Sequence, residues 1–110
     1  MNLPNGERGI IDIAKLRDYC LNPLHPRGRH KARAFAARLG LTSDRAEDLR
    51  RALLEAAREV DATVGEHDGF GQRFVVQFDM EGPKGPVAVR SAWIVRNGED
   101  VPRLTSCYVA

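Results

Sequence analysis

At 110 residues the chain fits one domain and leaves no room for two independent cores. Its hydrophobic fraction of 43% and charged fraction of 29% exclude wholesale disorder, and a domain of this size buries a core without disulfides or a structural metal. The net charge of +2 selects no class of partner, but the distribution of charge is uneven: Arg27, Arg29, His30, Lys31 and Arg33 crowd one short segment, while acids gather in the helix that follows and in the loops.

Cys20 and Cys107 are the only cysteines, too few for the disulfide framework of a small secreted domain. A single bridge stays open as an alternative to the expected state, two reduced and partly buried thiols. Residues 1–11 hold no apolar stretch of signal-peptide length, and no run approaches the roughly 18 apolar residues of a membrane span. The expectation is a cytoplasmic protein without a membrane contact, or an effector domain delivered from a larger carrier.

In chain order, residues 1–11 read as a loose lead-in with a turn at Asn5-Gly6. Asp12 can cap a short helix with Ile13, Leu16, Tyr19 and Cys20 on its apolar stripe, and Asn22-Pro23 ends it. Pro26 and Gly28 lead into a second helix with Ala32, Phe35, Ala36 and Leu39 on one face, closed by Gly40. The third helix carries a capping box, Asp44 with Glu47, and a buried face of Ala46, Leu49, Leu53, Ala57 and Val60.

After Asp61 the period changes. Gly65 to Gly71 reads as a glycine-rich loop. Phe74, Val76, Phe78 and Met80 then share one face of a strand, opposite Arg73, Val75, Gln77 and Asp79. A turn over Glu81 to Pro86 precedes a second strand, with Val87, Val89, Ser91, Trp93 and Val95 inward and Ala88, Arg90, Ala92, Ile94 and Arg96 outward. Asn97-Gly98 turns the chain into a last strand, Leu104 to Val109. The predicted architecture is one α+β domain over 1–110: the lead-in, a helical half at 12–61 and a sheet half at 72–109. Three helices precede a three- or four-stranded antiparallel meander and pack on one of its faces.

The second helix breaks an electrostatic rule. A helix N-terminus carries partial positive charge and unpaired N–H groups, so acids belong there; this helix opens with Arg27, Arg29, His30 and Lys31. Cations and N–H donors gathered at one point suit an anion, phosphate above all, and Gly28 without a Cβ would let a ligand approach the backbone. The competing reading has these cations solvated and paired with acids such as Asp18 or Glu47. His25 stands at the mouth of the loop, its backbone restricted by Pro26, and histidine moves protons near neutral pH. It reads equally as a loop histidine bonded to a backbone carbonyl. Lys31, four residues before Phe35, projects beside the buried stripe, either with a fixed head group or with a buried stem and a solvated tip.

The run Leu21-Asn22-Pro23-Leu24-His25-Pro26-Arg27-Gly28-Arg29-His30-Lys31-Ala32, with Phe35 following, resembles the opening signature of an uncharacterised bacterial domain family. Val89 to Val95 and Pro102 to Tyr108 resemble that family's central and closing strands. The family in turn resembles the barnase–EndoU–colicin–RelE group of metal-independent ribonucleases, many of them toxins. That resemblance implies an RNA substrate, a cognate antitoxin or immunity protein as partner, no cofactor and no metal. It implies 2′-hydroxyl attack with His25 as base or acid, Lys31 and Arg90 as cations, and Thr105 orienting the phosphate or the attacking hydroxyl. Arg27, Gly28, Arg29, His30 and Arg103 would hold flanking phosphates, and Tyr108 would stack a base. Arg90 and Arg103 read alternatively as a solvated sheet face.

Other readings compete. A non-catalytic interaction domain, such as an immunity or toxin-partner domain, would dock the basic loop on an acidic surface. A metal site from His25, His30, His67 and Cys20 matches no zinc spacing. A nucleophilic Cys20 conflicts with its place on a buried stripe.

Overall fold

The computed structural model describes residues 1–110 and shows an α+β fold of three helices and a four-stranded antiparallel sheet. Helix α1 begins as Ile13–Lys15, and the Asp12 carboxylate caps it by accepting the Ala14 N–H at 3.0 Å. The helix then widens into a π-helical turn, Leu16–Cys20, closed by the Leu21 N–H on the Leu16 carbonyl at 2.9 Å. Helix α2 spans Arg29–Leu39 and ends as expected on Gly40, whose φ of 66° is left-handed and whose N–H bonds the Ala36 carbonyl. Ala32 and Phe35 are buried on α2, but Ala36 is exposed, so the apolar stripe is narrower than its spacing suggested.

Helix α3, Ala46–Glu59, buries Ala46, Leu49, Leu53, Ala56 and Ala57. Its expected capping box does not form. A 3₁₀ turn, Ser43–Arg45, precedes the helix, the Thr42 hydroxyl donates to the Asp44 carboxylate, and Glu47 is drawn to Arg50 at 3.1 Å. With Asp44 and Glu47 both engaged sideways, neither carboxylate caps a backbone amide.

The sheet runs β1 (Ala62–His67), β2 (Gly71–Gly82), β3 (Gly85–Arg96) and β4 (Arg103–Val109), in that spatial order. The sheet half thus starts at Ala62 and not at 72, and β1 takes in Gly65 to His67, the first part of the expected glycine-rich loop. β1 pairs with β2 from Ala62 opposite Val76 to His67 opposite Gln72, with a bulge between Val64 and His67. Asp68 shapes the hairpin between them, accepting the amides of Phe70 and Gly71. The alternation on β2 and β3 holds as far as Trp93, with Phe74, Val76, Val87, Val89, Ser91 and Trp93 buried; beyond it Ile94, expected outward, is buried and Val95, expected inward, is only half-buried. The Ser91 hydroxyl donates to the Val76 carbonyl at 2.7 Å and accepts the Trp93 indole N–H at 2.9 Å, which satisfies the polar groups inside this core.

The lead-in is not loose. Leu3 and Ile11 join the core, Asn2 bridges Asp61, and Ile10 bridges Arg103 in parallel sense. Backbone bonds from Ile10 to Pro102 and from Leu104 to Ile10 tie the segment to β4 at 2.9 and 3.0 Å. α2 and α3 both contact β2, and α2 also contacts β4, which brings the start of α2 to the sheet edge. No helix is long and apolar enough to cross a membrane.

Candidate functional site

The loop that enters α2 is organised by His25. Its Nδ1 accepts the backbone N–H of Arg27 and of Gly28, each at 3.0 Å, and its carbonyl accepts the Arg29 N–H at 3.0 Å. An imidazole nitrogen accepts only when it carries no proton, so in the neutral ring the hydrogen sits on Nε2. His25 therefore works as the cap of the approach to α2. It bonds backbone amides, where a carbonyl partner was one expectation. Three of the N–H donors that an anion would meet are also satisfied inside the loop.

Gly28 has a structural reason that sequence reasoning misassigned. A Cβ there would stand 2.1 Å from the Tyr19 carbonyl oxygen, so the space left by the missing side chain is filled by α1 and not by a ligand. This close approach brings Tyr19 against His25, ring centroids 4.6 Å apart and edge-on at 73°.

Lys31, in the first turn of α2, reaches the edge of β4. Its ammonium donates to the Ser106 hydroxyl at 2.7 Å, and lies 5.0 Å from the centre of the Tyr19 ring and 5.9 Å from that of Tyr108. An ammonium has three N–H donors, and Ser106 takes one of them. None of Arg27, Arg29, Lys31 or Arg33 forms an ion pair: Asp18 is held by Arg17, and Glu47 by Arg50. The basic segment is thus not neutralised by the acids proposed for it. The Arg17 guanidinium beside Asp18 holds that carboxyl below its usual range.

Two open grooves lie on this part of the surface, and Lys31 lines the first of them. One, of about 360 Å³, is lined by His30, Lys31, Ala34, Tyr108 and Val109. The other, of about 430 Å³, has Lys15, Asp18, Tyr19 and Thr105 in its wall.

β4 departs from simple alternation at Thr105. Ser106 pairs with Ala92 and Leu104 with Trp93, so Thr105 is the extra residue of a bulge and the pattern of sides reverses after it. Leu104 and Cys107 both face the core, while Ser106 and Tyr108 share the side of Ala92 and Arg90. Thr105 itself is half-buried between Ser106 and the core-facing Leu104. Its hydroxyl donates to the Ala92 carbonyl at 3.1 Å.

Residues 2–110 match the model of one protein family, the "Domain of unknown function (DUF6883)". The chain belongs to that family. No curated protein and no solved structure matches it.

In this DUF6883 domain the structure gathers His25, Lys31 and Tyr108, with Arg90 opposite Tyr108 in register. Arg103 stands apart at the start of β4. Its guanidinium grips both carboxylate oxygens of Glu99, at 3.0 and 3.2 Å, which holds that acid below its usual range. Arg27, Arg29 and His30 are exposed around the mouth of the loop. Sequence reasoning missed Tyr19, whose ring meets both His25 and Lys31, and Ser106, whose hydroxyl holds Lys31. Beneath them lie Cys20 and Cys107. The neighbouring Cys107 thiol, with Lys31 and Lys15, pushes Cys20 down to about 7, while Cys20 and burial push Cys107 up.

Proposed function

We propose that this domain is a metal-independent, ribonuclease-like toxin domain that takes an RNA phosphodiester at Lys31 and cleaves it by attack of the ribose 2′-hydroxyl. The observation that carries the reading is a half-buried lysine framed by a hydroxyl and two tyrosine rings, with no carboxylate to neutralise it. A phosphate received there gains charge-assisted hydrogen bonds from the ammonium, and the exposed Tyr108 ring offers a base a surface to stack on. The resemblance of the Leu21–Ala32 run to a family that itself resembles ribonuclease toxins points the same way, as does an α+β layout of helices with an antiparallel sheet.

In this reading the 2′-oxygen forms a bond to phosphorus while the bond to the 5′-oxygen breaks. The 2′-hydroxyl gives its proton to solvent water and the leaving 5′-oxygen takes one from water, which yields a 2′,3′-cyclic phosphate and a 5′-hydroxyl. Lys31 stabilises the extra charge on the phosphorane. His25 offers Nε2–H as a donor toward the phosphate or the leaving oxygen, Ser106 fixes the lysine, and Arg90, Arg27 and Arg29 meet flanking phosphates.

A second reading, a non-catalytic domain docking an acidic protein partner, is favoured by one contact. With Nδ1 held by two backbone amides, His25 has no free lone pair with which to accept a proton. Incubation of the chain with single-stranded RNA in EDTA separates the two. Fragments ending in 2′,3′-cyclic phosphate, and no cut at a position carrying a single 2′-deoxyribose, support the nuclease. Intact RNA at micromolar protein supports docking.

A further inference from the structure

From Tyr19 to Ser43 the chain holds no acid, while Arg27, Arg29, Lys31, Arg33 and Arg38 all fall inside that stretch. None of them forms an ion pair, although Arg17 and Arg45, just outside it, both do. The net charge is only +2, so the positive charge is concentrated on α2 and its entry loop and the remainder of the chain is net negative. Lys31 and Arg38 are two helix turns apart on α2 and therefore lie on one flank, about 10 Å apart along the axis. Ala34 and Ala37 come between them and leave that flank free of bulky side chains.

Arg38 meets a further cation at the far end of the helix. A groove of about 290 Å³ there is lined by Ala37, Arg38, Lys84, Pro86 and Val87 among others, and no carboxylate enters its wall. The β2–β3 turn is seated tightly on α2, since a Cβ on Gly82 would stand 2.6 Å from the Arg38 carbonyl oxygen. Lys84, at the tip of that turn, is exposed and also free of any ion pair. The exposed Glu81 alternates with Gln77 and Asp79 on the other side of β2.

We propose that this flank of α2 is a track for the backbone of a single-stranded nucleic acid, in which a strand with one phosphate at Lys31 runs past Ala34 and Ala37 to a second phosphate subsite between Arg38 and Lys84. The track rests on the RNA reading of Lys31 and adds the course by which the strand leaves that lysine. Two cations that line one groove without a carboxylate repel each other, and a bridging phosphate relieves the repulsion with a charge-assisted hydrogen bond to each. Contacts of this kind position a strand without reading its sequence. The outer sheet face offers no such run, because the exposed Asp79 and Glu81 lie beyond Arg90 on it.

The test measures binding of a 2′-O-methyl oligouridine of about ten residues, which has no 2′-hydroxyl to attack, by fluorescence anisotropy from about 50 to 200 mM salt. Each phosphate contact to a single strand contributes about 0.7 to the slope of log affinity against log salt. Arg38→Gln and Lys84→Gln should each lower the slope by about that much, and the double variant should lose about sevenfold less affinity than the wild type across the range. Arg38→Lys and Lys84→Arg should keep the wild-type slope, as should Arg51→Gln, which removes an exposed cation from α3. An unchanged slope in the double variant, an equal drop in Arg51→Gln, or no binding by the wild type would each overturn the track; the last would assign the basic flank to an acidic protein surface. Cleavage of ordinary RNA is scored separately. A wild type that shows the slope changes but leaves RNA uncut keeps the track and removes the nuclease reading, while one that cuts RNA without the slope changes does the reverse.

Discussion

Substitution of His25 separates its structural and chemical roles because its two ring nitrogens face different tasks. Nδ1 accepts two backbone amides, the Arg27 amide at the surface and the Gly28 amide in a part-buried position. Loss of a helix-entry cap costs about 0.5–2 kcal/mol, and the edge contact with Tyr19 adds about 0.5 kcal/mol. His25→Ala should therefore lose about 2 kcal/mol, which for a domain of this size lowers Tm by roughly 8 °C. Asparagine places Oδ1 where Nδ1 stands, so His25→Asn should recover at least half of that loss. Glutamine places its amide where Nε2 stands and should recover little. Urea unfolding followed by fluorescence of Trp93, the only tryptophan and fully buried, reads all three variants. An Asn variant as unstable as Ala, or a Gln variant as stable as the wild type, would refute the capping assignment. RNA cleavage by His25→Asn then reports on Nε2–H alone.

Other perturbations test neighbouring parts of the account. Gly28→Ala sets a methyl against the Tyr19 carbonyl and should cost about 1–3 kcal/mol in urea unfolding; an unchanged midpoint would contradict the close approach. Ser106→Ala removes the hydroxyl that holds the lysine and should lose about 1 kcal/mol of stability, with weaker RNA binding in a filter assay. The Asp68 carboxyl is held below its usual value by its hydrogen bond from Arg73, so its folded state favours the ionised form. That contribution is present above the ordinary carboxylate value and is lost as pH falls through the lower, folded one. The stability gap between the wild type and Asp68→Asn should accordingly be constant from pH 5 to 7 and shrink in stronger acid; a gap that widens there would reverse the assignment.

How much of this was legible in the sequence depended on whether a signal was local and periodic. Phe74, Val76, Trp93 and their neighbours declared β2 and β3 because one face is buried and the period is 2. β1 carries Thr63, Val64, Gly65, Glu66 and His67, all exposed, so no alternation marked it as a strand. The lead-in looked loose because its anchorage to β4 and Asp61 is backbone bonding at long range, which side-chain patterns do not encode. In the site, His25 and Lys31 drew attention through a charge placement that a helix start should avoid. Tyr19 could have been found in part: it borders a fully buried cysteine on α1 yet is only half-buried itself. Ser106 could not, since it meets Lys31 from 75 residues away and faces it only because the bulge at Thr105 reverses the strand.

The most direct test of the Lys31 site is single-turnover cleavage of a short single-stranded RNA in EDTA by the wild type and by Lys31→Met. Methionine keeps the apolar stem and removes the ammonium, so unfolding should shift by no more than about 1 kcal/mol. The predicted result is a folded variant whose cleavage rate falls by at least 100-fold, the scale of losing one preorganised charge stabiliser. A folded Lys31→Met that cuts at the wild-type rate would contradict the assignment of Lys31 as the phosphate-binding cation.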